Sequence, residues 1–174
     1  MKEAPERYTD TLSPDSVSTE LAPRIEALGL EANCRQLAME GWTVIEDAAS
    51  AQFTARLRGK ILEVNGGRGG NRLLARDALF AEAVLNPKLL ALAEFSVGRS
   101  FLISQVAASV RPKGAATIGL HADNLWIPAP FPEHNMLLTG CWACDEFTEE
   151  GGATLVVPGS AVRRSFGGRL SNGS

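Results

Sequence analysis

Histidine is scarce in this chain, with only His121 and His134 among 174 residues. Cysteine is sparse as well, and Cys34, Cys141 and Cys144 form an odd set. The first twenty residues are polar and acidic, with no apolar stretch, so we expect neither a signal peptide nor a membrane span there. Reduced thiols in a cytoplasmic protein fit these observations best.

The chain also lacks an excess of positive charge. Its net charge is −3 and its pI is about 5.5, which gives no reason to expect nucleic acid or an anionic membrane as partner. The glycine-rich loop at 65–71 lacks the Lys-Ser/Thr of a phosphate-binding P-loop, so we interpret it as a surface loop. Nothing in the sequence indicates an oligomeric state.

The pattern of the chain changes near residue 101. Before it, apolar periodicity and stops at Gly29 and Gly41 predict helices, and a short strand is predicted at 42–45. The predicted helices cover residues 19–28, 31–40, 50–64, 78–85 and 87–97. After it, β-rich runs predict strands at 101–110, 117–123, 136–147 and 153–157.

This order of elements predicts the α+β class, with N-terminal helices packed on strands that form a barrel or sandwich. We expect three parts. Residues 1–18 form a solvated arm and residues 19–160 form the domain. Residues 161–174, which carry three arginines and no acid, form a tail.

The pair His121 and Asp123 carries the strongest chemical signal. Side chains two positions apart on a strand point the same way, so we expect the imidazole and the carboxylate to lie close together. Imidazole plus carboxylate with open positions is the ligand set of non-haem Fe(II) oxygenases, whose third ligand is a second histidine. That histidine should come from a later strand, and the chain offers only His134.

The surroundings of this pair resemble one known family. The relevant segments are EGWTVIED at 40–47, NPKLLALAEFSVGRSF at 86–101, GLHADNLW at 119–126 and CWACDEFTEEGGATLVVPGS at 141–160. Together they resemble the phytanoyl-CoA dioxygenase family of Fe(II)/2-oxoglutarate oxygenases.

The resemblance implies an incomplete double-stranded β-helix (jelly-roll barrel) in which His121 and Asp123 bind Fe(II). 2-Oxoglutarate would be the co-substrate and O2 the oxidant, and succinate and CO2 would be released. The prime substrate would be a small or lipid-like molecule that is hydroxylated.

Further residues acquire expected roles from the resemblance or from their position. Trp142 would line the 2-oxoglutarate pocket, or else be a core aromatic. Gln105 would place its amide near the co-substrate, or else be a solvated strand residue. The proline-rich loop 124–135 would hold Trp126 and Phe131 as a substrate-facing lip, or else cap the barrel. Asn124 would contact the substrate or orient the Asp123 carboxylate.

The chain departs from the family after residue 160. The distal histidine ligand and the arginine that pairs the far carboxylate of 2-oxoglutarate have no counterpart, so we expect a chain truncated at its C-terminus. With two protein ligands, Fe(II) binding should be weak and turnover poor. His134 would be either a substitute ligand or a solvated loop residue.

Two alternative functions stay open. The first is a non-catalytic remnant or binding module of the same fold, and the second is a small zinc protein. The zinc ligands would be His121, Asp123, Cys141 and Cys144. On a strand, however, residues 141 and 144 face opposite sides, so we expect structural cysteines.

Overall fold

The structure is a computed structural model that describes residues 20–64, 66, 68–116, 118–124, 126–128 and 134–160. Five α-helices and one 3-10 turn occupy the first part of this range. They are α1 (Ala22–Leu28), α2 (Glu31–Glu40), α3 (Ala51–Val64), the 3-10 turn (Leu73–Ala75), α4 (Leu79–Val84) and α5 (Pro87–Val97). The five predicted helices are confirmed, and the largest difference is that α1 begins at Ala22 instead of residue 19.

Local chemistry sets the ends of these helices. Gly29 and Gly41 follow α1 and α2 with φ of 65° and 81°, a left-handed conformation that costs glycine little. Asn86 caps α5, because its side-chain oxygen accepts the backbone N–H groups of Lys88 and Leu89 at 3.0 and 3.1 Å. Pro87 follows at the first helical position, where its missing N–H costs nothing.

Helices α1, α2 and α5 enclose the first of two apolar clusters. Its buried members are Leu21, Ile25, Leu30, Cys34, Leu37, Ala38, Ala91, Leu92 and Phe95. Leu138, from the later part of the chain, packs against this cluster. An ion pair between Arg24 and Glu94, at 2.6 Å, joins α1 to α5 at the surface. Exposed pairs of this kind add little stability, so burial of the apolar side chains holds the three helices together.

The second apolar cluster lies between α3, the 3-10 turn and α4. Its buried members are Leu57, Leu73, Leu79, Phe80 and Ala83. Half-buried side chains from the later part of the chain cover it, among them Val106, Trp142 and Cys144. The segment that follows α5 therefore contributes to both cores.

The predicted strands do not form regular ladders in the part of the chain that the structure describes. One antiparallel bridge is present, in which Gly70 and Ala108 exchange two backbone hydrogen bonds of 2.9 Å. The chains approach closely beside it, since a Cβ on Gly69 would lie 2.6 Å from the Ala108 carbonyl oxygen. A strand needs a partner whose N–H and C=O groups meet its own. The double-stranded β-helix therefore stays a prediction.

Many apolar side chains after α5 are exposed to solvent. Leu102 is 91% exposed, and Ile118, Leu120, Leu155 and Val156 are also exposed. The buried core therefore belongs mainly to the helical part of the chain.

The helices of the described residues do not combine the length and apolar content needed to cross a bilayer.

A matched pair of leucine substitutions tests this division. Leu92 is 3% exposed in the first cluster, whereas Leu102 is 91% exposed. We expect Leu92→Ala to lower the free energy of unfolding by about 2–5 kcal/mol, because it leaves a cavity in the core. Leu102→Ala should change it by less than about 0.5 kcal/mol. Urea unfolding followed by circular dichroism measures both, and equal losses would contradict the assignment of the core.

The thiol of Cys34 gives a pH test of the same cluster. Burial raises its pKa to about 11, with the Glu31 carboxylate adding to the increase and Arg35 opposing it. The unfolded thiol ionises near pH 9, so between pH 9 and 11 the unfolded state holds fewer protons and stability falls as pH rises. We expect the wild-type chain to lose about 2 kcal/mol more than Cys34→Ala between pH 8.5 and 10.5. Parallel unfolding curves at all pH values would contradict this.

Candidate functional site

His121 and Asp123 lie side by side, as the sequence predicts. The imidazole Nε2 is 3.3 Å from the carboxylate Oδ1, and both side chains are about half exposed. The other ring nitrogen, Nδ1, is 2.8 Å from the backbone carbonyl oxygen of Gly119. The prediction that the two side chains converge is confirmed.

The Gly119 carbonyl favours the tautomer of His121 that carries its proton on Nδ1. A carbonyl oxygen can only accept, so Nδ1 must donate to it. In the neutral ring Nε2 then has no proton and presents its lone pair. Nε2 of His121 lies 3.3 Å from Oδ1 of Asp123. Because both atoms then present lone pairs, the arrangement favours a cation beside them.

The separation of these two atoms suits a divalent metal ion. Bonds of about 2.1 Å at a right angle place two neighbouring ligand atoms about 3 Å apart. The observed 3.3 Å is close to this value. Within the described ranges, His, Cys, Asp and Glu form no group of three or more that could hold a metal. Among the described residues, His121 and Asp123 are therefore a pair that His134 does not join.

Thr139 hydrogen-bonds the second oxygen of Asp123. Its hydroxyl donates to Oδ2 at 2.9 Å, which leaves Oδ1 beside His121. Asn124 was predicted as a donor to this carboxylate; in the structure its backbone carbonyl accepts the N–H of Ile127, which closes a turn. Sequence reasoning missed Thr139 because no pattern shows which residue of a later segment lies opposite Asp123.

The segment that carries Thr139 alternates between two sets of contacts. Its even-numbered residues contact the helical part of the chain. Leu138 packs on the first cluster, and Trp142 and Cys144 pack on the second. Gly140 approaches α5, since an added Cβ would lie 2.7 Å from Leu89 Cδ1. The odd-numbered Thr139 and Cys141 interact with Asp123. This period of two is that of an extended chain with two faces.

The other predicted site residues lie in several places. Trp142 is half-buried against Phe53, with ring centroids 5.5 Å apart, so its contacts are those of a core aromatic. Gln105 is exposed, and its amide donates to Asn71 at 2.9 Å. Trp126 is 67% exposed. Phe131 lies outside the described residues. The roles proposed for these four residues stay predictions.

The two cysteines after α5 face different surroundings. Desolvation raises the pKa of Cys141, and the nearby Asp123 carboxylate adds to the increase. Desolvation and Asp145 raise the pKa of Cys144, which packs on the second cluster, while Arg58 opposes them. Only Cys141 is thus linked to the His121–Asp123 pair, so the structure gives no support to a four-ligand zinc site.

A cavity of about 310 Å³ lies elsewhere, near the junction of α1 and α2. Its lining residues are Gly29, Leu30, Asn33, Val44, Ile45, Glu46 and Lys88. None of the predicted site residues lines it. The candidate site is therefore the pair His121 and Asp123, which brings together an imidazole and a carboxylate.

The chain is similar to a known protein family and to curated proteins, one of which is named here. A family model described as phytanoyl-CoA dioxygenase (PhyH) matches residues 70–167, which is more than half of the chain. A protein of Aspergillus fumigatus named Dioxygenase af480 is 34% identical over 85 residues, which are 48% of this chain and 27% of that protein. The chain thus spans about a quarter of the length of this relative. No solved structure matches the chain.

A matched pair of tryptophan substitutions tests whether Trp142 stabilises the second apolar cluster. We expect Trp142→Ala to lower the free energy of unfolding by about 2–4 kcal/mol, because it removes an aromatic ring from the second cluster. Trp126→Ala should change it by less than about 0.5 kcal/mol, since that ring is largely exposed. Urea unfolding compares the two. A Trp142→Ala chain as stable as the wild type would contradict its place in the core.

Proposed function

Because the chain belongs to the phytanoyl-CoA dioxygenase family, we propose that it carries part of the Fe(II) centre of a 2-oxoglutarate-dependent dioxygenase. The family match and the relative named as a dioxygenase support the general activity. The proposed reaction hydroxylates a small or lipid-like organic molecule with O2 and forms succinate and CO2 from the co-substrate.

One observation supports the metal part of this proposal above all others. Nε2 of His121 and Oδ1 of Asp123 lie 3.3 Å apart, about the distance between neighbouring ligands of one divalent ion, and Nδ1 faces the Gly119 carbonyl. Imidazole and carboxylate together are the ligand types that non-haem Fe(II) enzymes use.

The chain's own residues would have distinct tasks at such a centre. His121 and Asp123 would bind the ion, and the Gly119 carbonyl would keep the His121 proton on the far nitrogen. The bound iron would supply the activation of O2. Trp126 lies three positions after Asp123 and is 67% exposed. It is proposed to contact the substrate together with Asn124 and Phe131.

We also propose a cytoplasmic location, because all three cysteines are unpaired.

The co-substrate would bind beside the same pair. Gln105 and Trp142 are the residues proposed for it from the family resemblance. The hydrogen bond of Gln105 to Asn71 and the packing of Trp142 on Phe53 give each residue a structural partner as well. His121 and Asp123 therefore remain the residues with which a test of function should begin.

Metal binding by the 174-residue chain tests the proposal directly. We expect weak Fe(II) binding, measured anaerobically by equilibrium dialysis, because the described residues offer two ligands. His121→Ala and Asp123→Ala should each raise the Kd at least about tenfold, equivalent to about 1.4 kcal/mol of binding free energy. Succinate formation from 2-oxoglutarate with ascorbate should be low in the wild type and absent in both variants.

His134→Ala is the matched control, since it removes the other histidine of the chain. Its Kd for Fe(II) should equal that of the wild type. Binding that persists in both His121→Ala and Asp123→Ala would contradict the proposed centre. Binding that disappears in His134→Ala would show that this histidine is a ligand and that the two-ligand account is wrong.

A further inference from the structure

We propose that Thr139 is a positioning residue that holds Asp123 as a one-oxygen ligand. The inference rests on the proposed metal centre, and it concerns a residue that neither the sequence pattern nor the family match singles out. The Thr139 hydroxyl donates to Oδ2 of Asp123 at 2.9 Å, whereas Oδ1 faces His121 Nε2 at 3.3 Å. The two carboxylate oxygens therefore have different tasks.

The hydrogen bond fixes the rotation of the carboxylate. A carboxylate can bind a metal through one oxygen or through both. With Oδ2 engaged by a hydroxyl, Oδ1 is the oxygen left free to bind beside the imidazole. One-oxygen binding takes up fewer positions around the ion than two-oxygen binding, so more positions stay open for small molecules.

Packing against the helices holds Thr139 in place. On one side of it, Leu138 packs on the first cluster. On the other side, Gly140 lies so close to α5 that an added Cβ would be 2.7 Å from Leu89 Cδ1. Leu138 and Gly140 thus both lie against the helical part of the chain, and the Thr139 side chain between them meets Asp123. The core in this way determines the geometry of a half-exposed site.

The test compares Thr139→Val with Thr139→Ser by titration with Co(II), followed by visible absorption. Valine keeps the shape of threonine but cannot donate, whereas serine keeps the hydroxyl. Loss of such a partner typically weakens metal binding by about 10–100-fold. We expect a Kd about tenfold higher for Thr139→Val, the lower end of this range, because water can reach the half-exposed Asp123. Thr139→Ser should stay within about twofold of the wild type.

The absorption spectrum gives a second readout that does not depend on activity. Release of Oδ2 in Thr139→Val allows both oxygens to bind, so the intensity of the Co(II) bands should change, and Thr139→Ser should restore the wild-type spectrum. Thr154→Val is the matched control, because Thr154 is exposed in the later part of the described chain. Its Kd and spectrum should equal those of the wild type.

The possible failures can be told apart. If His121→Ala abolishes Co(II) binding but Thr139→Val leaves both the Kd and the spectrum unchanged, the positioning role is wrong and the metal centre stands. If Co(II) binding by the wild type does not depend on His121, the metal centre itself is wrong. If Thr139→Ser binds as poorly as Thr139→Val, the hydroxyl is not what holds Asp123, and the proposal is overturned.

Discussion

The site depends on the packing of residues 138–144 against the helices. Leu138 belongs with the first apolar cluster, and Trp142 and Cys144 belong with the second. In an extended chain, the residues that alternate with these packed ones lie on the opposite face. Thr139 and Cys141 are those others, and both interact with Asp123. Apolar burial thus sets the geometry of a polar site that is itself about half exposed.

The electrostatics of the pair follow from one backbone carbonyl. Gly119 accepts the Nδ1 proton of His121, so in the neutral ring the lone pair of Nε2 points to the same region as the carboxylate of Asp123. Two groups that both present electrons repel unless a proton or a metal ion lies near them. The chain belongs to the phytanoyl-CoA dioxygenase family, and a metal ion is the partner that we propose for this pair.

The features that could be predicted from the sequence are those determined by neighbouring residues. Helix α2 stops before Gly41, because glycine adopts the left-handed conformation at little cost. Helix α5 begins at Pro87, because the proline ring fixes a helical φ at the first position. The spacing of two predicts that His121 and Asp123 lie close together, as they do, although Asp123 lies in a turn instead of on a regular strand. Thr139 could not be predicted, because its contact joins residues 16 positions apart through the packing of a third segment. The β-helix depends on the pairing of distant segments, which local patterns do not determine, so it stays a prediction.

The most direct test of the account observes the two histidines separately. With ¹⁵N-labelled histidine, NMR of the imidazole nitrogens distinguishes His121 from His134, and His121→Ala assigns the signals. The account predicts that neutral His121 carries its proton on Nδ1, and that substoichiometric Fe(II) broadens the His121 signals while those of His134 stay sharp. A proton on Nε2, or broadening of His134 before His121, would contradict it.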